Sequence, residues 1–438
     1  MPEAREAVKP LLNVAIMGHV DNGKSTLVGR LMIGLGRISG REMKNAQTWA
    51  KSVGDETCWV AFLLDQHPSE RKKRQTQEDK FFEPIETEKN FVKIVDLPGH
   101  EDFMANMVRG ASLADSAILV VDTYEVLHKV EQMHQLREHA TFIFILNLKQ
   151  PIVVLNKMDK LNYDEDLFRK AKETVAQLLR KVGISEPEKY QYVPASAYED
   201  ENIVRKSEKM PWYDGPTFLE ALATLAAPPR ATDRPLRLPI FRHFDRGGIA
   251  VGVVKSGTLR AKDRVVLRPI DLIGTVSSIE TWNRRIEVAY PGDDVGISIS
   301  GIGSQYIKPG YVIGHLKDPP TVARRFKARV YVFGSRGLRV GYSPTLNSNT
   351  LQVACRITSF EARYGPDGKK IQENPTSLQP GQFGDIWIEP LCAPLKGIPI
   401  ETEDDFPDLA RIALRDQDMT IAAGKCVQVE PVPLEWPG

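Results

Sequence analysis

The sequence predicts an α/β domain with a doubly wound, mostly parallel sheet, followed by two all-β barrel domains. The first half of the chain alternates near-continuous apolar runs with amphipathic segments, whereas the helical period almost vanishes beyond a proline-rich break near Ala226. The 438 residues also fit about three domains of ordinary size. The breaks LAAPPRATDRP and KDPPTV predict domains at residues 1–228, 235–318 and 321–433.

Five apolar runs in the first half end in a polar residue or glycine, as expected of parallel strands that are buried on both faces. They are LLNVAIMG (11–18), NFVKIVD (90–96), SAILVVD (116–122), PIVVLN (151–156) and YQYVPAS (190–196). Between the last two runs, apolar residues recur at helical spacing from Asp164 to Val182 and predict an amphipathic helix.

The second half consists of short alternating runs separated by glycines, as in GGIAVGVVKSGTL and DDVGISISGI. The block after KDPPTV is again rich in strand-forming residues, as in FKARVYVF and TLQVACRITSF. Regular short strands with glycine turns are typical of small barrels. We therefore expect one barrel on each side of KDPPTV.

The charge balance excludes one class of protein. The 58 Lys and Arg residues against 57 Asp and Glu give a net charge of +1, which excludes nucleic-acid binding through bulk positive charge, so any RNA contact must be a local patch.

The four cysteines form no C-x-x-C pair, which favours free core thiols over a disulfide framework or a zinc ribbon. Neither a signal peptide nor a long apolar run occurs, so we expect a cytoplasmic protein without a membrane span.

The segment GHVDNGKS, residues 18–25, matches G-x-x-x-x-G-K-[ST] and lies between the first strand and an amphipathic helix. Its backbone N–H groups are expected to face phosphate oxygens, with Lys24 reaching the terminal phosphates and the Ser25 hydroxyl binding Mg²⁺. The candidate phosphate-binding residues are Gly18, His19, Val20, Asp21, Asn22, Gly23, Lys24, Ser25 and Thr26.

The tetrapeptide DLPG, residues 96–99, closes the run NFVKIVD. Asp96 is expected to hold Mg²⁺ through water, and the Gly99 N–H to contact a γ-phosphate. Alone the tetrapeptide is an ordinary turn, but after a phosphate-binding loop it predicts a nucleotide-dependent switch.

The segment NKMD, residues 156–159, follows PIVVL and predicts the choice of base. The Asp159 carboxylate can accept hydrogen bonds from the ring N–H and the amine of guanine, a pair that adenine does not offer. Ser196 and Ala197 are expected to place N–H groups near the guanine oxygen. Together with Asn156 and Lys157, they predict GTP and GDP as ligands.

The motifs GHVDNGKST, DLPGHEDF, NKMD and SA occur in this order, followed by MPWYDGPTFLEAL, PGDDVG and RDQDMTIAAGKCV. Over nearly the whole chain this pattern resembles the translational GTPases of the elongation factor Tu and elongation factor 1-alpha group. The resemblance implies an α/β P-loop GTPase domain before two barrels, delivery of aminoacyl-tRNA to the ribosome, and GTP hydrolysis stimulated there. It also implies a monomer, with a guanine-nucleotide exchange factor as a further candidate partner.

The resemblance assigns two more roles. His100 matches the histidine that positions the attacking water, and Thr76 of ERKKRQT matches the threonine that adds a second hydroxyl to Mg²⁺. Arg74 stands where the family usually has glycine, and Gln75 stands where an apolar residue is usual. We expect these two departures to weaken switching rather than nucleotide binding.

In the first predicted barrel, Glu280 of SSIETW matches a position that in the family lies near the terminal adenosine of aminoacyl-tRNA. An ordinary exposed carboxylate on a strand is the alternative for this residue. The spacing of His128, His134 and His139 does not suit a metal site, and we expect all three at the surface.

Other functions stay open at this point. A specialised paralogue would deliver a release or ribosome-rescue factor or act in ribosome dormancy, with weak or locked GTPase activity. A GTPase subunit of a sulfate-activating enzyme would have a similar P-loop and similar barrels. The closing RDQDMTIAAG favours the translation branch.

Overall fold

The chain divides into two units, Met1–Pro228 and Pro229–Gly438. The computed structural model describes residues 9–52, 54, 59–63, 80–81, 84–96, 114–129, 133–145, 148, 150–228, 231–244, 248–281, 284–333, 336–365, 369–417 and 419–434. The first unit is an α/β domain and the second contains two β-barrels, which confirms the predicted fold class. The predicted domain limits at 1–228, 235–318 and 321–433 stay predictions.

A mostly parallel sheet forms the centre of the first unit. In the described residues its order is β2-β4-β1-β5-β6-β7, with β3 paired to β4. Strands β1 and β4 to β7 run parallel, whereas β2 and β3 are antiparallel to β4. The strands are β1 (Leu11–Met17), β2 (Lys80–Phe81), β3 (Ile85–Glu86), β4 (Phe91–Asp96), β5 (Ser116–Asp122), β6 (Ile152–Asn156) and β7 (Gln191–Pro194).

The sheet order explains where a ligand would bind. Strand β1 lies between β4 and β5, so the chain leaves β1 in one direction and later returns to its other side. The loops after the parallel strands therefore gather at one edge, which is where open α/β sheets bind ligands. Strands β1 and β5 are almost entirely buried, in keeping with their continuous apolar sequences.

Helices connect these strands. The longest described one begins after the Asp164 side chain accepts a hydrogen bond from the Leu167 N–H over 2.9 Å, and it has acidic residues in its first turn and basic residues in its last. The helices are α1 (Lys24–Gly34), α2 (Gly40–Ser52), α3 (Trp59–Phe62), α4 (Thr123–His128), α5 (Met133–Ile145), α6 (Glu165–Lys181) and α7 (Phe218–Thr224). The helix expected from Asp164 to Val182 is thus present, with those two residues as its caps.

The second unit opens with a six-stranded closed barrel. Its order is β11-β16-β8-β9-β15-β12, closed by pairing of β12 with β11, and β13 extends β12. The strands of this region are β8 (Leu238–Phe244), β9 (Ile249–Val253), β10 (Leu259–Arg260), β11 (Arg264–Arg268), β12 (Leu272–Thr281), β13 (Arg284–Ile286), β14 (Val288–Ala289), β15 (Asp294–Ser300) and β16 (Val312–His315). Its interior is aliphatic, with Leu238, Val265 and Ile297 fully buried.

A second closed barrel follows with the order β19-β25-β26-β17-β23-β20, closed by pairing of β20 with β19. Closure leaves no open edge on these six strands, which removes a template for aggregation. The strands are β17 (Val322–Val332), β18 (Leu338–Arg339), β19 (Thr345–Ser348), β20 (Leu351–Tyr364), β21 (Lys370–Glu373), β22 (Ser377–Leu378), β23 (Phe383–Pro390), β24 (Ile398–Pro399), β25 (Arg411–Asp416) and β26 (Met419–Pro431).

Two expectations about whole-chain properties can be compared with the described residues. Cys355 and Cys426 are buried free thiols and Cys392 is half-buried, in line with the expectation for three of the four cysteines, while Cys58 lies outside the described residues. Burial raises the pKa of the Cys355 thiol to about 12. In the described part of the chain, every helix is too short or too polar to cross a membrane.

Candidate nucleotide-binding site

The loop from Gly18 to Gly23 connects β1 to α1 and has the backbone shape of a phosphate-binding turn. Gly18, Asp21 and Gly23 have φ angles of 144°, 67° and 88°. A Cβ atom on Gly18 would lie 2.3 Å from the carbonyl oxygen of Val120, so glycine is required there for close approach to β5. The turn ends directly at the N-terminus of α1, where backbone N–H groups favour an anion.

The Lys24 ammonium lies inside this loop. Its Nζ donates hydrogen bonds to the carbonyl oxygens of Gly18 at 2.8 Å and His19 at 3.1 Å, and the side chain is buried. Ser25 and Thr26 follow in the first turn of α1. The loop therefore places one positive charge and two hydroxyl-bearing residues at the end of the sheet where the sequence predicts phosphates.

The Asn156 side chain joins the phosphate loop to the predicted base loop. Its Nδ2 donates to the backbone oxygen of Asn22 over 2.8 Å, and its Oδ1 accepts from the Ala197 N–H over 2.9 Å. A Cβ atom on Gly23 would lie 2.4 Å from Asn156 Nδ2, so the contact depends on glycine at that position. One amide thus fixes the ends of β1, β6 and β7 relative to one another.

The Asp159 carboxylate, which is expected to read guanine, is held by a neighbouring hydroxyl. Ser196 Oγ donates to Asp159 Oδ1 over 2.5 Å and itself accepts from the Glu199 N–H over 3.2 Å. Ser196 is completely buried, whereas Asp159 is half-buried at the edge of the site. The arrangement leaves carboxylate lone pairs available while fixing the orientation of the group.

Asp122 was not among the predicted site residues, although it ends β5 beside this segment. Its Oδ2 lies 2.9 Å from Lys157 Nζ and 3.2 Å from Lys160 Nζ, and its side chain is 1% exposed. Burial raises the pKa of the Asp122 carboxyl, but the hydrogen bond and charge of Lys157, with smaller contributions from the Glu125 N–H and Lys160, lower it below the ordinary value overall. Asp122 therefore carries its negative charge between two lysines.

Arg30 of α1 was also missed by sequence reasoning. Its Nε donates to the Ala197 carbonyl oxygen at 3.1 Å and its Nη2 to that of Tyr198 at 2.7 Å. Its guanidinium carbon lies 5.5 Å from the ring centre of Trp59, within cation–π range. Arg30 thus connects the predicted base loop to α3.

His139 corrects an expectation, because it is 1% exposed rather than at the surface. Burial, together with the nearby Lys24 and His19, lowers the pKa of His139 to about 3, so the ring is neutral at physiological pH. It lies on α5, which packs against β5 and α6. His128 is exposed as expected, and the His134 side chain lies outside the described residues.

Several predicted site residues lie wholly or partly outside the described residues. Asp96 ends β4 in register with Ile16 of β1, but its side chain is outside the described part of the chain. The same holds for all of Gly99, His100 and Thr76, and for the unusual Arg74 and Gln75. Their roles stay predictions.

Glu280 lies on β12 of the first barrel. It is exposed, and it pairs in register with Arg285 of β13 and with Gly296 of β15. This position suits an accessible contact residue and equally suits an ordinary strand carboxylate, so the predicted contact with a tRNA end stays a prediction.

A lysine-bearing glycine loop at the end of the first strand of a doubly wound sheet defines a P-loop nucleotide-binding protein. Residues 9–228 match the elongation factor Tu GTP binding domain, residues 247–314 match elongation factor Tu domain 2, and residues 325–427 match the GTP-eEF1A C-terminal domain-like family.

Comparison with known proteins narrows the class of P-loop nucleotide-binding proteins to one family. The chain is 40% identical over 441 residues to the elongation factor 1-alpha of Pyrobaculum arsenaticum, covering 99% of this chain and 98% of that protein. It is also 40% identical over 428 residues to the elongation factor 1-alpha of Archaeoglobus fulgidus, covering 97% and 99%. The chain belongs to the elongation factor Tu and elongation factor 1-alpha family: it is a GTP-binding translation elongation factor and a GTPase.

The fold comparison agrees with this assignment at the level of architecture. The GTPase-like domain of S. cerevisiae Ski7, solved with GDP and inorganic phosphate, gives a TM-score of 0.79 at 17% identity, covering 96% of this chain and 98% of that one. The two chains therefore share a fold over most of their length.

Proposed function

We propose that this protein binds GTP at the edge of the first sheet and carries aminoacyl-tRNA to the ribosome, hydrolysing GTP on delivery. The observation that carries the proposal is the Asn156 side chain, which joins the phosphate loop at Asn22 to the base loop at Ala197. A guanine nucleotide requires both loops at once, because its phosphates and base lie at opposite ends of the ligand.

The residues present fit a magnesium nucleotide. Ser25 follows the phosphate loop, and Asp96 ends the strand beside β1. Mg²⁺ in a nucleotide site is commonly held by one or two protein groups together with the phosphates of the nucleotide, so a cluster of metal-binding side chains is not required. When bound, Mg²⁺ would neutralise phosphate charge, with Ser25, Thr76 and water on Asp96 as its ligands.

The chain's own residues contribute binding and orientation. Lys24 supplies charge to the terminal phosphates, Asp159 selects guanine, and His100 orients the attacking water when the ribosome stimulates turnover. We place this activity in the cytoplasm, where aminoacyl-tRNA and ribosomes are found.

One experiment tests the cargo. GTP turnover is measured with and without ribosomes, and the same preparation is tested for protection of aminoacyl-tRNA against deacylation by the GTP form. We expect stimulated turnover together with protection. Stimulated turnover without protection would contradict the aminoacyl-tRNA assignment.

A second candidate function is favoured by the sequence ERKKRQT, in which Arg74 and Gln75 depart from the family pattern. A paralogue that delivers a release or rescue factor, or acts in dormancy, would bind GTP tightly with weak turnover. Changing Arg74→Gly and Gln75→Ile together should then raise ribosome-stimulated turnover without altering GDP affinity. Loss of stimulation in this double variant would instead indicate that the basic segment makes a productive contact.

A further inference from the structure

Asp122 lies at the carboxyl edge of the first sheet. It is the last residue of β5 and pairs in register with Asn156, the last residue of β6. The residue that follows Asp122 also contacts Asn156, because Thr123 Oγ1 donates to the Asn156 carbonyl oxygen over 2.6 Å. Asp122, at the end of β5, and Thr123, which follows it, thus hold the start of the NKMD segment.

The ammonium group of the Lys157 side chain is held by an ion pair. Its backbone has a φ of 64°, a left-handed conformation that directs the chain into the short 3-10 helix Met158–Leu161. A lysine has a flexible four-carbon stem, so its position depends on a fixed partner for the ammonium group. Asp122 provides that partner at 2.9 Å.

The charge balance makes this partner more important than an ordinary surface ion pair. Lys160 also lies 3.2 Å from the same carboxylate oxygen, so one buried negative charge serves two positive ones. Loss of the carboxylate charge would leave two like charges close together beside the site, and they would move apart. When one partner of a buried ion pair is removed, the remaining charge is strongly destabilised.

We propose that Asp122 is a positioning residue for guanine-nucleotide binding, which holds the Lys157 side chain along the nucleotide and acts through that lysine. The inference rests on the proposed place of Lys157 in the GTP site. It adds to that site a residue which contacts no nucleotide atom itself.

The test is a double-mutant cycle on the full chain, with GDP affinity measured for the wild type, Asp122→Asn, Lys157→Met and the double variant. Asparagine keeps an oxygen that can accept the Glu125 N–H, now at 3.2 Å, so the start of α4 is preserved while the charge is lost. We expect Asp122→Asn to weaken GDP binding roughly tenfold, a typical size for coupling within one hydrogen-bond network. In the Lys157→Met background the same change should have almost no effect.

The results distinguish the positioning role of Asp122 from the proposed place of Lys157 in the GTP site. If Lys157→Met leaves GDP affinity unchanged, the proposed place of Lys157 in the site is wrong. If Lys157→Met weakens binding but Asp122→Asn does not, or if Asp122→Asn costs the same factor in both backgrounds, the positioning role of Asp122 is overturned.

Two further variants keep the test decisive. Asp122→Glu retains the charge on a longer side chain and should recover part of the lost affinity, which a purely structural effect would not predict. Glu125→Gln, one turn along α4, is the matched control, because Glu125 pairs with Lys129 at 3.0 Å rather than with Lys157. Full affinity loss in this control would overturn the inference.

Discussion

Arg237 Nε donates a hydrogen bond to Glu401 Oε1 over 2.5 Å, and the two side chains are only 2% and 5% exposed. Arg237 directly precedes β8 of the first barrel, whereas Glu401 follows β24, which pairs with the second barrel. The same carboxylate oxygen accepts the Thr321 N–H over 3.1 Å at the start of the second barrel. A buried ion pair therefore connects the two barrels of the second unit.

We expect Glu401→Gln to lower the free energy of unfolding of the second unit by about 3 kcal/mol, because it removes the buried carboxylate partner of the Arg237 charge. Hydrogen exchange of the barrel strands measures this value. Asp318→Asn is the matched control: Asp318 also contacts Arg237, but its side chain is 57% exposed, so the loss should stay below about 1 kcal/mol. Equal losses in the two variants would contradict the prediction.

We expect Asp159→Asn to shift nucleotide preference from guanine toward xanthine. The asparagine amide can donate to the xanthine oxygen that replaces the guanine amine, whereas a mismatched buried polar pair costs about 1 to 3 kcal/mol. Competition binding with GDP, XDP and ADP measures the change. If the wild-type protein binds ADP as tightly as GDP, Asp159 does not select the base.

We expect Arg30→Ala to accelerate GDP dissociation by roughly three- to tenfold, because two hydrogen bonds to the base loop are lost. Stopped-flow release of a fluorescent GDP measures the rate. Arg37→Ala, just beyond the end of α1, is the control, since Arg37 donates to the Pro84 carbonyl oxygen instead. A similar acceleration in both variants would show that the effect comes from α1 in general.

The buried His139 predicts a pH dependence of stability. Its pKa in the folded chain is about 3, below the ordinary value of 6.5, so between these values the unfolded chain binds a proton that the folded chain does not. The folded state should therefore lose stability as the pH falls from about 6.5 toward 3, by up to about 1.4 kcal/mol per pH unit from this group.

His139→Gln should remove this contribution, whereas His128→Gln, at an exposed position, should not. Urea unfolding of the three proteins between pH 4 and pH 7 measures the difference in slope. Parallel curves for the wild type and His139→Gln would show that the pKa of His139 is the same in the folded and unfolded chains.

The sequence was sufficient to predict the parallel strands, because buried strands such as β5 and β6 have continuous apolar sequences that end in polar residues. It was also sufficient for Lys24 and Asn156, whose motifs have fixed local spacing. Arg30 and Asp122 had no such signal, since their partners lie 167 and 35 residues away along the chain and meet them only after folding. His139 was misjudged because residue type favours exposure, while α5 buries it.

The two hydrogen bonds of the Asn156 amide have a consequence for how a ligand leaves. A long ligand held by two independent loops can detach at one end and rebind before the other end opens, which slows its escape. Here the phosphate loop and the base loop share one side chain, at 2.8 Å and 2.9 Å. Because displacement of either loop disturbs the other, we expect a shift at one end of the site to weaken the hold on the ligand at both ends.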